Sequence, residues 1–185
     1  MTDWDACYRM GGYDKGDDPH ALLVRLQSLI PEGPVIDIAA GSGSDALFLA
    51  EKGRFVCGLE RSRAALMIAR SKSIAIGREI GLVAGDATVI PFKVNCAAAV
   101  TVFYFLDRKI MGQIADLLRK GGILIYETFL KRQNMIDRWR NPEHLLDDGE
   151  LLYWFGALEL LFYQEIMTDK AGKKRIIAQY AGRKM

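Results

Sequence analysis

The sequence holds few of the residues that most often announce chemistry or compartment: three cysteines and two histidines among 185 residues. Cys7, Cys57 and Cys96 are odd in number, scattered, and form no Cys-x-x-Cys pair. That excludes a disulfide framework or a zinc site and predicts reduced core thiols. Long hydrophobic runs are also missing. The longest, Cys96 to Leu106, is far short of the ~18 residues a membrane helix needs. The start Met-Thr-Asp-Trp-Asp lacks the basic and apolar regions of a signal peptide, so a cytoplasmic protein with no membrane partner is expected. Charge of one sign is scarce too: Lys+Arg 25 against Asp+Glu 23 leaves +2, which gives no global pull towards nucleic acid. No internal repeat or low-complexity segment appears. With 50% hydrophobic and 26% charged residues, 185 residues fit one globular domain spanning 1–185.

What is present centres on Pro34 to Asp45. Val35 to Ile38 reads as a short buried strand, Gly41 and Gly43 permit a sharp turn, and Asp45 to Lys52 opens a helix. Such a turn aims unpaired N–H groups and a helix dipole at a ligand, which suits a nucleotide-like cofactor. Asp37, four residues before Gly41, would repel a pyrophosphate and suits a cationic group instead. A second apolar strand, Arg54 to Leu59, ends in Glu60, placed to accept the hydroxyls of an adenosine ribose. Ser62 to Arg78 reads as a helix capped by Ser62, Ile80 to Ala84 as a third strand, and Asp86 follows at its carboxyl end.

Upstream, Asp18 as N-cap and Pro19 at the first helical position predict a helix through Ile30. Downstream, the continuous apolar run Cys96 to Phe103 predicts a central strand buried on both faces. A helix capped by Asp107 is expected to reach Lys120, stopped by Gly121-Gly122, before a fifth strand, Ile123 to Phe129. Residues 130–142 read as a polar, basic connection, and His144 to Phe155 as a helix. Leu158 to Met167 and Arg175 to Ala181 flank Asp169-Lys-Ala-Gly172 as a hairpin. The expected fold is a Rossmann-like, doubly wound α/β sheet of seven strands, mainly parallel, with an antiparallel C-terminal hairpin.

Asp37-x-Ala39-x-Gly41-x-Gly43, followed by Ala-Leu-Phe-Leu-Ala, resembles the Asp/Glu-x-Gly-x-Gly-x-Gly loop of class I S-adenosylmethionine methyltransferases. Trp4, Tyr8, Tyr13, Gly16, Pro19, Gly85-Asp86, Gly121 to Phe129 and Asn141-Pro-Glu-His-Leu-Leu are similar to the small single-domain tellurite-resistance and thiopurine methyltransferases. The chain departs at Ser44-Asp45, where many relatives have Arg-Asn, at Ala39, where the loop has glycine, and at Glu60, where they have Asp. The resemblance implies S-adenosylmethionine as cofactor, contacted by Asp37, Ala39, Gly41, Gly43, Glu60, Arg61, Asp86, Ala87 and Phe103. Residues 1–18 would form a cover segment and a small molecule would be the acceptor.

No catalytic residue is assigned; Tyr104, Arg138 and Arg140 are the candidates to meet the acceptor. A sulfonium is already an activated donor, so a soft nucleophile such as a thiol or chalcogen species needs no base. His20 and His144 read as surface helix ends, which fits that acceptor class. Asn/Asp-Pro-Pro-Tyr, the sign of amino methylation, is absent after the fourth strand. Two other readings stay open. A nicotinamide-dependent oxidoreductase would share the turn, although Asp37 and the lack of Tyr-x-x-x-Lys oppose it. A non-catalytic cofactor-binding or RNA-associated module would use the basic end Lys170 to Lys184, which reads better as a solvated hairpin.

Overall fold

A computed structural model describes residues 3–11, 18–137, 139–170 and 172–185. Seven strands form one sheet in the order β3-β2-β1-β4-β5-β7-β6. In chain order they are β1 (Val35–Ile38), β2 (Val56–Glu60), β3 (Gly81–Ala84), β4 (Ala97–Phe103), β5 (Leu118–Phe129), β6 (Glu159–Lys170) and β7 (Lys173–Arg183). The helices are α1 (Trp4–Arg9), α2 (Ala21–Leu26), α3 (Ser44–Glu51), α4 (Arg63–Ala75), α5 (Met111–Leu117) and α6 (Glu150–Trp154). Strands β1 to β5 pair in parallel, and β7 lies antiparallel to both β5 and β6. This is the expected doubly wound sheet with a closing hairpin.

β1 and β4 are buried along their whole length, as strands must be when helices cover both faces of a parallel sheet, and the polar Asp37 and Thr101 are buried with them. The two-residue period then divides the core. Ile36 and Ile38 pack with Val100, Val102, Ile114, Leu117 and Phe155 on one side; Val35, Ala99, Ile123 and Ile125 pack with Leu22, Leu23, Leu47 and Ala69 on the other. Asp37 has the parity of Val35, so it faces the side carrying α2 and α3.

Four local expectations are corrected. Asp18 does not cap α2: the helix starts at Ala21, its N-cap is His20, and the His20 N–H donates to Asp45 across 25 residues of chain. A tertiary bond outcompetes the local cap. The helix after Asp107 stops at Leu117, not Lys120, because Leu118 already pairs with Ala97 and the Gly121 N–H is taken by the Lys184 carbonyl. The stretch from His144 is helical only over α6, since Leu145 and Leu146 are both buried, and Leu146 bridges to Leu130 as extended chain. The three thiols are free but half-buried, not core. Where no period was legible, residues 4–9 form α1, N-capped by Asp3.

Candidate functional site

The sheet order reverses at β1, which has β2 on one side and β4 on the other. In open α/β sheets the ligand crevice opens at such a switch point, beyond the carboxyl ends of the strands. The turn leaving β1 is tight: Ala39, Gly41 and Gly43 all have positive φ, at 57°, 56° and 81°. The two glycines serve different ends. A Cβ on Gly41 would lie 2.5 Å from the Tyr8 hydroxyl of α1, so Gly41 is where the amino-terminal helix closes on the turn. A Cβ on Gly43 would lie 2.9 Å from the Ala69 Cβ, so Gly43 lets α3 and α4 approach each other.

Three nearly buried carboxylates gather at this turn: Asp37, Asp45 and Glu60 are 2%, 6% and 6% exposed. Glu60 accepts the Gly41 N–H at Oε2 (2.9 Å) and the Ser62 N–H at Oε1 (2.7 Å). Each oxygen keeps a second lone pair for another donor. Asp37 accepts the Thr101 hydroxyl at Oδ1 (2.7 Å), while its buried Oδ2 has no partner among the described residues. Burial, with the charges of Asp45 and Glu60 added, holds the Asp37 carboxyl well above the ordinary carboxylate range. A cation relieves this cluster and a pyrophosphate aggravates it. The residues therefore fit a positively charged nucleoside cofactor.

Beyond β2 and β3, Asp86 accepts the Thr88 N–H (3.0 Å), which holds its carboxyl below the usual range, and Arg61 pairs with it at 3.7 Å. Ala87 beside it is buried in the core. α1 lies across this end. Asp5 accepts the Ser62 hydroxyl (2.6 Å) and the Ala64 N–H (3.1 Å), pinning α1 to the start of α4. A cleft of ≈ 190 Å³ lined by Asp3, Trp4, Asp5, Arg61 and Ser62 opens between them.

On the β4 side the walls are aromatic. Tyr104, at φ 54°, breaks from the strand while its N–H bonds to the Glu127 carbonyl (2.8 Å). A non-glycine residue in that region costs about 1–2 kcal/mol and marks a constrained place. The Tyr104 ring lies 4.8 Å from Phe129, and its hydroxyl accepts from Arg175 (3.1 Å). Burial and the Glu127 carboxylate push the Tyr104 hydroxyl far above its usual pKa, so it stays protonated. Arg140 stacks over Phe129 at 4.5 Å and pairs with Asp137 (3.0 Å); its buried Nε has no acceptor among the described residues.

His20 corrects the sequence reading most. It is no surface helix end: its imidazole is 22% exposed, bonded to Asp45 and stacked on Phe103. Sequence reasoning missed the pair because 25 residues separate its members. The one available signal was Asp45 standing where relatives carry Asn. Arg175 was likewise read only as part of a solvated hairpin. Trp139 is 72% exposed, and its neighbouring segment is tied to β7 through Gln133, which bonds to Lys174 and Ile176. Tyr13, Gly16 and Arg138 lie outside the described residues.

Residues 35–122 match the family model described as a methyltransferase domain. A demethylmenaquinone methyltransferase from Thermus thermophilus is 34% identical over 102 residues, covering 51% of this chain and 46% of that protein. The chain thus spans under half the length of the curated relatives it matches. Among solved structures, TehB from Haemophilus influenzae superposes with TM-score 0.78 at 18% identity, over 97% of this chain and 66% of that one. An S-adenosylmethionine-dependent methyltransferase from Clostridium acetobutylicum superposes with TM-score 0.73 at 14% identity, over 96% and 99%. No helix among the described residues is long and apolar enough to cross a membrane. Over residues 35–122 the chain thus matches a methyltransferase domain, and its sheet has the fold of the methyltransferases it superposes on.

Proposed function

We propose that this protein transfers the methyl group of S-adenosylmethionine to a small molecule. The observation that carries the reading is the trio of buried carboxylates, Asp37, Asp45 and Glu60, around the Gly41 turn, a field that favours a cationic ligand. Glu60 would take the ribose hydroxyls through its remaining lone pairs. Asp86 and the Ala87 N–H would take the adenine edge, with Arg61 and the α1 cleft alongside. Asp37 would sit beneath the cationic end, with Ala39, Gly41 and Gly43 shaping the turn and Phe103 at its β4 edge. The bound cofactor supplies an activated methyl group on a sulfonium. The protein's own work is to orient the acceptor and exclude water, which can supply about 7–11 kcal/mol.

For the acceptor, a soft nucleophile such as a thiol or chalcogen species remains one reading. A quinone-type ring is a second, supported by the aromatic wall of Tyr104 and Phe129 and by the name of the curated relatives. The basic hairpin gives less support to an RNA-associated role, since Arg175, Arg183 and Lys184 bond to Tyr104, Glu159 and Asn95 within the chain. Calorimetry with S-adenosylmethionine, S-adenosylhomocysteine and NAD tests the cofactor. Formation of S-adenosylhomocysteine across thiols, chalcogen oxyanions, phenols and RNA tests the acceptor. Binding of NAD without S-adenosylmethionine would overturn the proposal.

A further inference from the structure

One imidazole in the crevice, that of His20, has no part in holding the cofactor. A single carboxylate fixes His20 twice: the His20 backbone N–H donates to Asp45 Oδ1 at 2.8 Å, and Nδ1 lies 2.6 Å from Oδ2. A carboxylate only accepts, so Nδ1 is a protonated nitrogen, and in the neutral imidazole Nε2 then carries the lone pair. The imidazole lies parallel to Phe103, with centroids 4.2 Å apart and planes at 3°, and 5.2 Å from Tyr104. Phe103 ends β4 and Tyr104 follows it, on the β4 side of the switch point. No described residue hydrogen-bonds Nε2, and the partly exposed ring leaves that edge to a ligand. A base oriented by a third group, beside the place where a nucleophile must stand, is the arrangement that activates a weak nucleophile.

We propose that His20, oriented by Asp45, is the general base of this site, and that the acceptor is a small aromatic hydroxyl compound, a phenol or hydroquinone. The proposal rests on the methyltransferase reading. A thiol with a pKa of about 8.5 is partly ionised near neutrality, whereas a phenol near 10 is almost wholly protonated and gains most from a base. The Phe129 and Tyr104 rings offer a flat acceptor stacking surfaces, and the Arg140 and Arg175 guanidiniums beside them favour the developing phenolate. In the step, His20 Nε2 takes the hydroxyl proton and the freed oxygen pair forms the O–CH3 bond. The S–CH3 bonding pair stays on sulfur as the thioether. Asp45 stabilises the imidazolium until it loses the proton to water.

The test measures S-adenosylhomocysteine formation for a series of phenols of graded acidity, with a thiol as control, in wild type, His20→Gln and Asp45→Asn. Wild type should methylate the phenols. Both variants should lose about 10²-fold or more in kcat on weakly acidic phenols, and the loss should shrink on 4-nitrophenol, already ionised at the assay pH. Calorimetry should give the wild-type affinity for S-adenosylhomocysteine in His20→Gln. Nitrogen NMR of the free wild-type protein should find His20 protonated at Nδ1, a readout that does not depend on how the variants fold. A loss uniform across the series, turnover of thiols alone, or an Nε2–H tautomer overturns the base. Failure of the wild type to bind S-adenosylmethionine defeats the methyltransferase reading itself, and calorimetry separates that case from the others.

Discussion

Glu60 clamps the glycine turn to the end of β2: its Oε2 accepts the Gly41 N–H at 2.9 Å while its Oε1 holds the Ser62 N–H at 2.7 Å. A residue read from sequence as a ligand contact is therefore also part of the scaffold. Glu60→Ala should lower stability by about 1–3 kcal/mol, because buried donors lose their acceptor, and should weaken S-adenosylhomocysteine binding by a similar amount. Thermal unfolding and calorimetry report the two effects separately. Wild-type affinity in a destabilised variant would remove the ribose role and leave the clamp.

Ala39 occupies a left-handed conformation, φ 57°, at the position where the related loop has glycine. Relief of Cβ strain worth about 1–2 kcal/mol outweighs the greater unfolded-state freedom of glycine, about 0.4–1 kcal/mol. Ala39→Gly should therefore raise the melting temperature by a few degrees. An unchanged or lower value would show that the site has relaxed around alanine.

At Gly41 any side chain meets the Tyr8 hydroxyl and an unfavourable φ of +56°. Gly41→Val should abolish S-adenosylhomocysteine binding while circular dichroism shows the fold retained, and protease cleavage within residues 3–11 should speed up as α1 is displaced. Normal binding would leave the turn with a structural role only.

Asp37 gives a pH dependence with a definite sign. Its folded-state pKa is raised by burial and by Asp45 and Glu60, so its contribution to stability is complete below the ordinary carboxyl range and is lost as pH rises through the raised value. Asp37→Asn keeps an oxygen for the Thr101 hydroxyl and removes that loss. Without ligand, the variant should melt above wild type at pH 8 and equal to it near pH 4, yet bind S-adenosylmethionine more weakly. Melting curves that coincide at both pH values would contradict this account.

Arg140 and Arg175 should matter for anionic acceptors. Replacing either by Ala should raise KM and flatten its dependence on salt, with S-adenosylmethionine affinity unchanged. The neutral acceptor of the same shape serves as control; equal losses for both would assign the arginines to packing on Phe129 and Tyr104.

Some of this was decided by the chain alone. Val35–Ile38 and Ala97–Phe103 are apolar on both faces apart from Asp37 and Thr101, a pattern that suits a strand covered on both faces. The glycine turn, Glu60 and Asp86 were legible because local backbone geometry and strand ends set their places, within a span of 50 residues. Helix limits were less so. Leu118 and Leu146 left their expected helices because burial and ladder pairing with distant residues outweigh local propensity. The His20–Asp45 pair, the Tyr8 approach to Gly41 and the Arg175 bond to Tyr104 join positions 25, 33 and 71 apart in number, in the order named. No periodicity encodes such contacts. They arise only when packing of α2 and α3 on one face of the sheet, and of β7 against β5, brings those side chains to a common edge, and that is where tertiary structure decided which chemistry the site can perform.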